Sequence, residues 1–212
     1  MVDFPTGVSA GVRPEALGAW LRHRSVYTLP PFVPASGIAS DVLAAWWDEV
    51  ALTDAEARIV ECLNLAASIE RVALVDAGGE RAPFVRPRGE RDPVPLRALG
   101  EGMGRLFAFA LAAQRAQKTG VLLIDEIENG VHYSVLSDLW RFLFAAARAN
   151  GVQVFATTHS WDCIAAFAEV AAEDDASVGA LVRLREKQGA IVPTVFTEQD
   201  LAVVERQHLE VR

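Results

Sequence analysis

The segment GVLLIDEIENGVHYSVL, Gly120 to Leu136, runs four apolar residues, Val121 to Ile124, straight into the adjacent acids Asp125 and Glu126. A short continuous apolar run is the pattern of a strand in a covered parallel sheet. Successive strand side chains point to opposite faces, so the two acids serve different partners. They sit at the strand's carboxyl end, where open α/β sheets bind ligands. One carboxylate there can hold water on a magnesium ion, an ion that takes few carboxylates and several waters and phosphate oxygens. The other can polarise an attacking water. Taken alone, four apolar residues followed by Asp-Glu form a common pattern, and a strand-end cap with a solvated neighbour explains it equally well. Glu128, Asn129, Gly130 and His132 then form a polar turn before the next helix.

Working outward, the second half alternates strand and helix. The spacing predicts helices over residues 101–117, 134–150 and 161–172, with strands over 121–125 and 152–157. LVRLRE and AIVPTVF bracket KQG as a closing hairpin, and a further helix starts near Glu198. Strands separated by helices of this length predict an α/β fold, a largely parallel sheet with helices on both faces. Upstream, Leu99, Gly100, Glu101 and Gly102 open an apolar helix. Glycines at a helix start let backbone N–H groups approach an anion, although Glu101 adds negative charge at that end. A plain Gly-rich turn into a core helix fits the same residues. Downstream, VFATTHS places His159 at a strand end, where a neutral imidazole can bond a phosphate or water. The plainer reading makes Thr158 or Ser160 a helix cap and His159 a satisfied polar residue.

Residues 1–38 are rich in Pro and Gly and read as a lead-in segment or arm, with a short helix over residues 14–24 and a break at LPPFVPASG. Ser40 is placed as the cap of a helix over residues 41–50. Thr53 with Glu56 reads as a capping box opening a helix over residues 54–70. RVALVDA, GGE and APFVRP read as strand, turn and return strand. Twenty basic against 28 acidic residues give a net charge of -8, which opposes non-specific binding to nucleic acid or anionic membrane. Cys62 and Cys163 show no ligand spacing, so a disulfide framework or zinc site is not expected and a reducing cytoplasm fits. No apolar stretch reaches the ~20 residues that span a bilayer.

Read in order, LGEGMGRLF, VLLIDEIENGVH and VFATTHS resemble three motifs of the ABC-type ATPases, nearest to the bacterial AAA-family ATPases related to SMC, DNA-repair and OLD proteins. The resemblance covers residues 93–165 well. It implies a P-loop NTPase-like fold that binds and hydrolyses ATP with Mg2+. It matches Asp125 to the aspartate holding magnesium through water, Glu126 to the general base and His159 to the γ-phosphate sensor. Leu99, Gly100, Glu101 and Gly102 match the signature turn that contacts the nucleotide of a second subunit. Glu128 and His132 bound the turn that crosses the dimer interface. Gly100 stands where the transporter-type signature has serine.

Such ATPases grip the phosphates with G-x-x-x-x-G-K-[ST]. No such loop occurs in these 212 residues, whose two lysines, Lys118 and Lys187, follow no glycine loop. The expectation is therefore the C-terminal portion of an ABC-type ATPase over residues 39–212, without the N-terminal P-loop lobe. A P-loop-bearing partner chain or a homo-oligomer would complete it, and the incomplete sheet would expose an apolar edge. The alternatives are an inactive interaction module of ATPase ancestry and a metal nuclease using Asp125, Glu126 and Glu128.

Overall fold

The computed structural model describes residues 29–76, 78–173 and 179–196. The helices expected over residues 14–24 and from Glu198 lie outside them. The elements run β1 (Phe32–Val33), α1 (Ser40–Asp48), α2 (Ala55–Leu63), β2 (Ile69–Asp76), β3 (Arg81–Pro87), β4 (Val94–Pro95), α3 (Glu101–Ala116), β5 (Val121–Ile124), α4 (Leu136–Asn150), β6 (Gln153–Ala156), α5 (Trp161–Ala172), β7 (Leu181–Lys187) and β8 (Ala190–Phe196). Short 3-10 turns, Leu96–Leu99 and Tyr133–Val135, lead into α3 and α4.

Three strands form the parallel sheet that carries the acids, in the order β1-β5-β6. The others are antiparallel: β2-β3-β4 in one sheet, β7-β8 in a hairpin. The chain is a mixed α/β protein whose parallel sheet is flanked by helices. The hairpin turn uses Gln188 and Gly189, both at positive φ (54° and 77°), the twist a two-residue turn requires.

Register sorts the parallel sheet into two faces. Val33, Leu122 and Ile124 are buried, with Val154 and Ala156 partly so. Against them lie Ala113 of α3 and Leu143 and Ala146 of α4. α3 is the hub of the core: Met103 and every residue from Arg105 to Gln114 is buried. The opposite face bears the paired row Phe32, Leu123, Phe155, with Phe32 49% and Phe155 51% exposed. Helices were expected on both faces. Among the described residues the row from Phe32 to Phe155 is left half open; it lies on a face of the sheet, whereas the expectation concerned an apolar edge.

Local chemistry moves several boundaries. The expected break at LPPFVPASG contains a strand, because Phe32–Val33 fits between Pro31 and Pro34 and Val33 is fully buried. The lead-in therefore joins the sheet from Phe32 onward. Ser40 does not cap α1: Ala39 holds the cap position and no side chain bonds there. Near Thr53 the capping bonds are displaced by one residue. Thr53 Oγ accepts Ala55 N–H, and Glu56 reaches Leu52 N–H instead of Thr53. α2 stops seven residues short of the expected end because Asn64 clips the turn. Its Nδ2 donates to Val60 O (2.8 Å) and Ile69 O (3.0 Å), and its Oδ1 accepts Ile69 N–H (2.8 Å). Ser160, by contrast, does cap α5, accepting Cys163 N–H.

Both cysteines are buried and free. Burial raises the Cys62 thiol far above its ordinary range and pushes Cys163 up to about 11. Neither is expected to be alkylated by iodoacetamide at pH 8 in the native chain, while urea exposes both. Rapid native labelling of Cys163 would contradict this packing. Among the described residues no helix is long and apolar enough to cross a membrane.

Candidate active site

The rim at the carboxyl ends of β5 and β6 gathers the polar groups. Thr157, just past β6, is the bridge. Its hydroxyl donates to Asp125 Oδ1 at 2.7 Å, and the same oxygen accepts Glu126 N–H at 2.9 Å. This leaves Asp125 Oδ2 for another partner. Ile127 N–H donates to Thr157 O, which ties the turn after β5 to the end of β6.

Glu126 has φ +46°, a left-handed conformation rare for residues with a side chain. Such strain costs about 1–3 kcal/mol and persists only where surroundings hold it. Three bonds hold it here: Thr157 Oγ on its N–H, and Arg105 and the Asn129 N–H on its carbonyl. At that φ the backbone of Glu126 leaves the regular strand path directly after Asp125.

Arg105 was not singled out from the sequence. It is 8% exposed, on the second turn of α3. Nη1 donates to Pro34 O (2.6 Å), and Nη2 to Glu126 O (3.1 Å) and Asp125 O (3.3 Å). The guanidinium also lies over the Phe109 ring. One side chain thus ties the loop after β1 and the start of α3 to the backbone of both acids. Burial lowers its pKa, against the opposing pull of the Asp125, Glu126 and Glu128 charges. The available signal was a lone arginine inside GRLFAFALAA, since a buried charge needs partners.

Glu128 turns inward to brace the second strand end: its Oε1 accepts the backbone N–H of His159 at 2.8 Å. The His159 side chain is left exposed at the rim. His132 pairs within its own turn, Nδ1 to Ser134 Oγ at 2.9 Å, with its ring against Tyr133. Leu99 and Glu101 are exposed, and Gly100 opens α3 at φ +107° with no side chain bonding at the cap. Gly102 packs against the turn after the acids: a Cβ there would lie 2.7 Å from Gly130 O. The helix start and the Glu128–His132 turn therefore meet backbone to backbone. Gly102→Ala is expected to cost about 1–3 kcal/mol by urea unfolding, since backbone must move on both sides. Loss of less than about half a kcal/mol would show the contact to be slack.

Among the described residues no three His, Cys, Asp or Glu side chains converge where they could hold a metal ion. A two-metal nuclease needs such clustered carboxylates. A single magnesium shared with phosphate oxygens asks less of the protein, and the free oxygen of Asp125 suits it.

Residues 57–162, half of the chain, match the family described as "AAA domain, putative AbiEii toxin, Type IV TA system". The chain belongs to this AAA-domain family. The matched span takes in most of α2, all of α3, the acids and His159. It is also similar to an ATP/GTP phosphatase of Helicobacter pylori (strain ATCC 700392 / 26695), 29% identical over 115 residues. That match covers 52% of this chain and 31% of the relative, so the chain spans about a third of the length of the curated relative it matches. Among solved structures, it resembles one from work on ATP-driven dimerization and DNA-stimulated activation of SMC ATPases (TM-score 0.52, 13% identity, 82% of this chain and all of that one). It also resembles an Smc head domain with an extended coiled coil bound to the C-terminal domain of ScpA, from Pyrococcus furiosus (TM-score 0.50, 15% identity, 73% of this chain and 38% of that one). At such identities the likeness is one of fold. The AAA-domain chain is thus of ABC/AAA-type ATPase ancestry.

Proposed function

We propose that this chain forms the water-activating side of a nucleoside-triphosphatase site. It acts as the C-terminal portion of an ABC-type AAA-family ATPase whose phosphate loop comes from outside these 212 residues. The observation carrying this reading is the Thr157 bridge, which holds Asp125 and Glu126 at one rim beside the strand end bearing His159. Magnesium, when bound with ATP, would draw together phosphate oxygens and offset their charge.

The rest is done by the chain's own groups. Asp125, fixed through one oxygen by Thr157, is the residue that would hold the magnesium, using its other oxygen. Glu126, set off the strand path by its left-handed turn, accepts the proton of the attacking water. His159, with its backbone pinned by Glu128, presents its imidazole to the terminal phosphate. Leu99 to Gly102, at an uncapped helix start, face a second subunit's nucleotide, and Glu128 to His132 border that contact. The dimerization described for an SMC relative supports a two-subunit arrangement.

The rim's acids would repel a triphosphate without a cationic cradle, and both lysines lie elsewhere: Lys118 pairs with Glu49 and Lys187 ends the β7 strand. That observation favours the second reading, an interaction module without catalysis. Mixing the chain with the polypeptide encoded immediately upstream and measuring phosphate release separates the two. Release above either component, lost in Glu126→Gln, supports the ATPase. No gain supports the module.

A further inference from the structure

One exposed hydroxyl lies against a base. Ser134, in the short turn that leads into α4, has its Oγ 2.9 Å from His132 Nδ1, and its backbone N–H donates to the same nitrogen at 3.4 Å. A backbone N–H can only donate, so Nδ1 carries its lone pair and the neutral ring keeps its proton on Nε2. The Ser134 hydroxyl therefore donates its hydrogen to Nδ1. A serine hydroxyl is a weak nucleophile until a neighbouring base takes that hydrogen, and an imidazole in bonding contact is such a base. His132, Tyr133 and Ser134 are all exposed, and the His132 ring lies against the Tyr133 ring.

Neighbouring hydroxyls are engaged differently. Thr157 donates to Asp125 and Ser137 to Glu169, while Ser160 accepts Cys163 N–H. Among the described residues Ser134 is the only hydroxyl bonded to a histidine ring. A helix cap asks only for the N–H bond, and here the hydroxyl is the closer of the two partners. The pair also sits at the end of the Glu128–His132 turn, whose Gly130 meets Gly102 at the start of α3.

We infer that Ser134, with His132 as its base, takes the γ-phosphoryl group of the nucleotide a second subunit presents to this turn, so that the completed protein phosphorylates itself. This rests on the ATPase reading above, in which Glu128 to His132 border that nucleotide. Ser134 Oγ forms a bond to the γ-phosphorus, and the bond from that phosphorus to the β–γ bridging oxygen breaks. The nucleoside diphosphate leaves with the electron pair, and the hydroxyl proton passes to His132 Nδ1. The phosphoserine then stands at the entry to α4, where the helix dipole favours its charge.

Two reagents test this. The chain is mixed with the polypeptide encoded immediately upstream and MgATP, and phosphate on the protein is located by tandem mass spectrometry. The isolated chain is treated with a fluorophosphonate, which marks activated serines without any nucleotide. Both reagents are expected to modify Ser134. Asparagine caps helices well but is no base, so His132→Asn should keep its circular dichroism and lower both modifications by about 10²-fold or more. Ser134→Ala should lose both while phosphate release continues. Glu126→Gln should still phosphorylate Ser134, because His132 is the base for that transfer.

Phosphate release with Ser134 left unphosphorylated overturns the proposal and leaves the ATPase reading standing. The proposal is overturned equally if the fluorophosphonate ignores Ser134, or if His132→Asn is modified as fast as the parent chain. Neither release nor phosphorylation, with Ser134 still marked by the fluorophosphonate, sinks the ATPase reading and the transfer with it.

Discussion

Glu126→Gln is expected to lower phosphate release from the completed site by about 10²–10⁴-fold while leaving nucleotide binding in place. Glutamine matches glutamate in shape, so the left-handed turn, the Thr157 bond to its N–H and the Arg105 bond to its carbonyl all survive. What is lost, on the proposed reading, is the proton acceptor. Glu128→Gln is the informative companion. Glu128 Oε1 accepts a backbone N–H, and an amide oxygen can accept it as well, so only a small effect is expected. Equal losses in the two variants would mean that net charge at the rim matters, and not proton transfer at Glu126.

Arg105→Met should destabilise the chain by about 2–4 kcal/mol. Methionine keeps the aliphatic bulk on α3, but the carbonyls of Pro34, Asp125 and Glu126 lose the Arg105 fork. Pro34 O still accepts Gly37 N–H and Glu126 O still accepts Asn129 N–H, so the full cost of an unpaired acceptor, about 1–3 kcal/mol, falls on Asp125 O, with the cross-link between three segments lost besides. The cost is tempered because Arg105 Nε is itself buried without a partner, and its removal relieves that. Arg105→Lys should not rescue, since one ammonium cannot span carbonyls that a planar fork reaches together. Urea unfolding measures the loss, and amide exchange over residues 125–130 locates it. A loss below about 1 kcal/mol would show that the acids' turn holds itself.

Much of this was legible in the residues. α3, α5 and the closing hairpin fall within a residue of their expected bounds, because their apolar pattern, caps and glycines agree locally. The acid pair and the strand it ends were legible for the same reason: Val121–Ile124 has no competing pattern. What was hidden depended on groups distant in the chain. β1 exists because Pro31 O and Val33 O accept from Leu123 and Asp125, ninety residues on, which no window around its prolines contains. α2 ends early because Asn64 bonds Ile69, a choice between two propensities made by tertiary packing. Glu126's left-handed backbone is set by Thr157 and Arg105, neither of them its neighbour. The role of Gly102 also changed in emphasis: its lack of a side chain is demanded by Gly130 within the same chain, whatever second subunit it meets.

Titration of the isolated chain with MgATP by calorimetry, against the same chain joined to the proposed phosphate-loop segment, tests most directly whether these residues are half of a site. The account predicts no binding tighter than about millimolar for the isolated chain. It predicts micromolar, magnesium-dependent binding for the completed one, with the magnesium dependence lost in Asp125→Asn. Micromolar binding by the 212 residues alone would contradict it, because the grip on the phosphates would then lie within the chain itself.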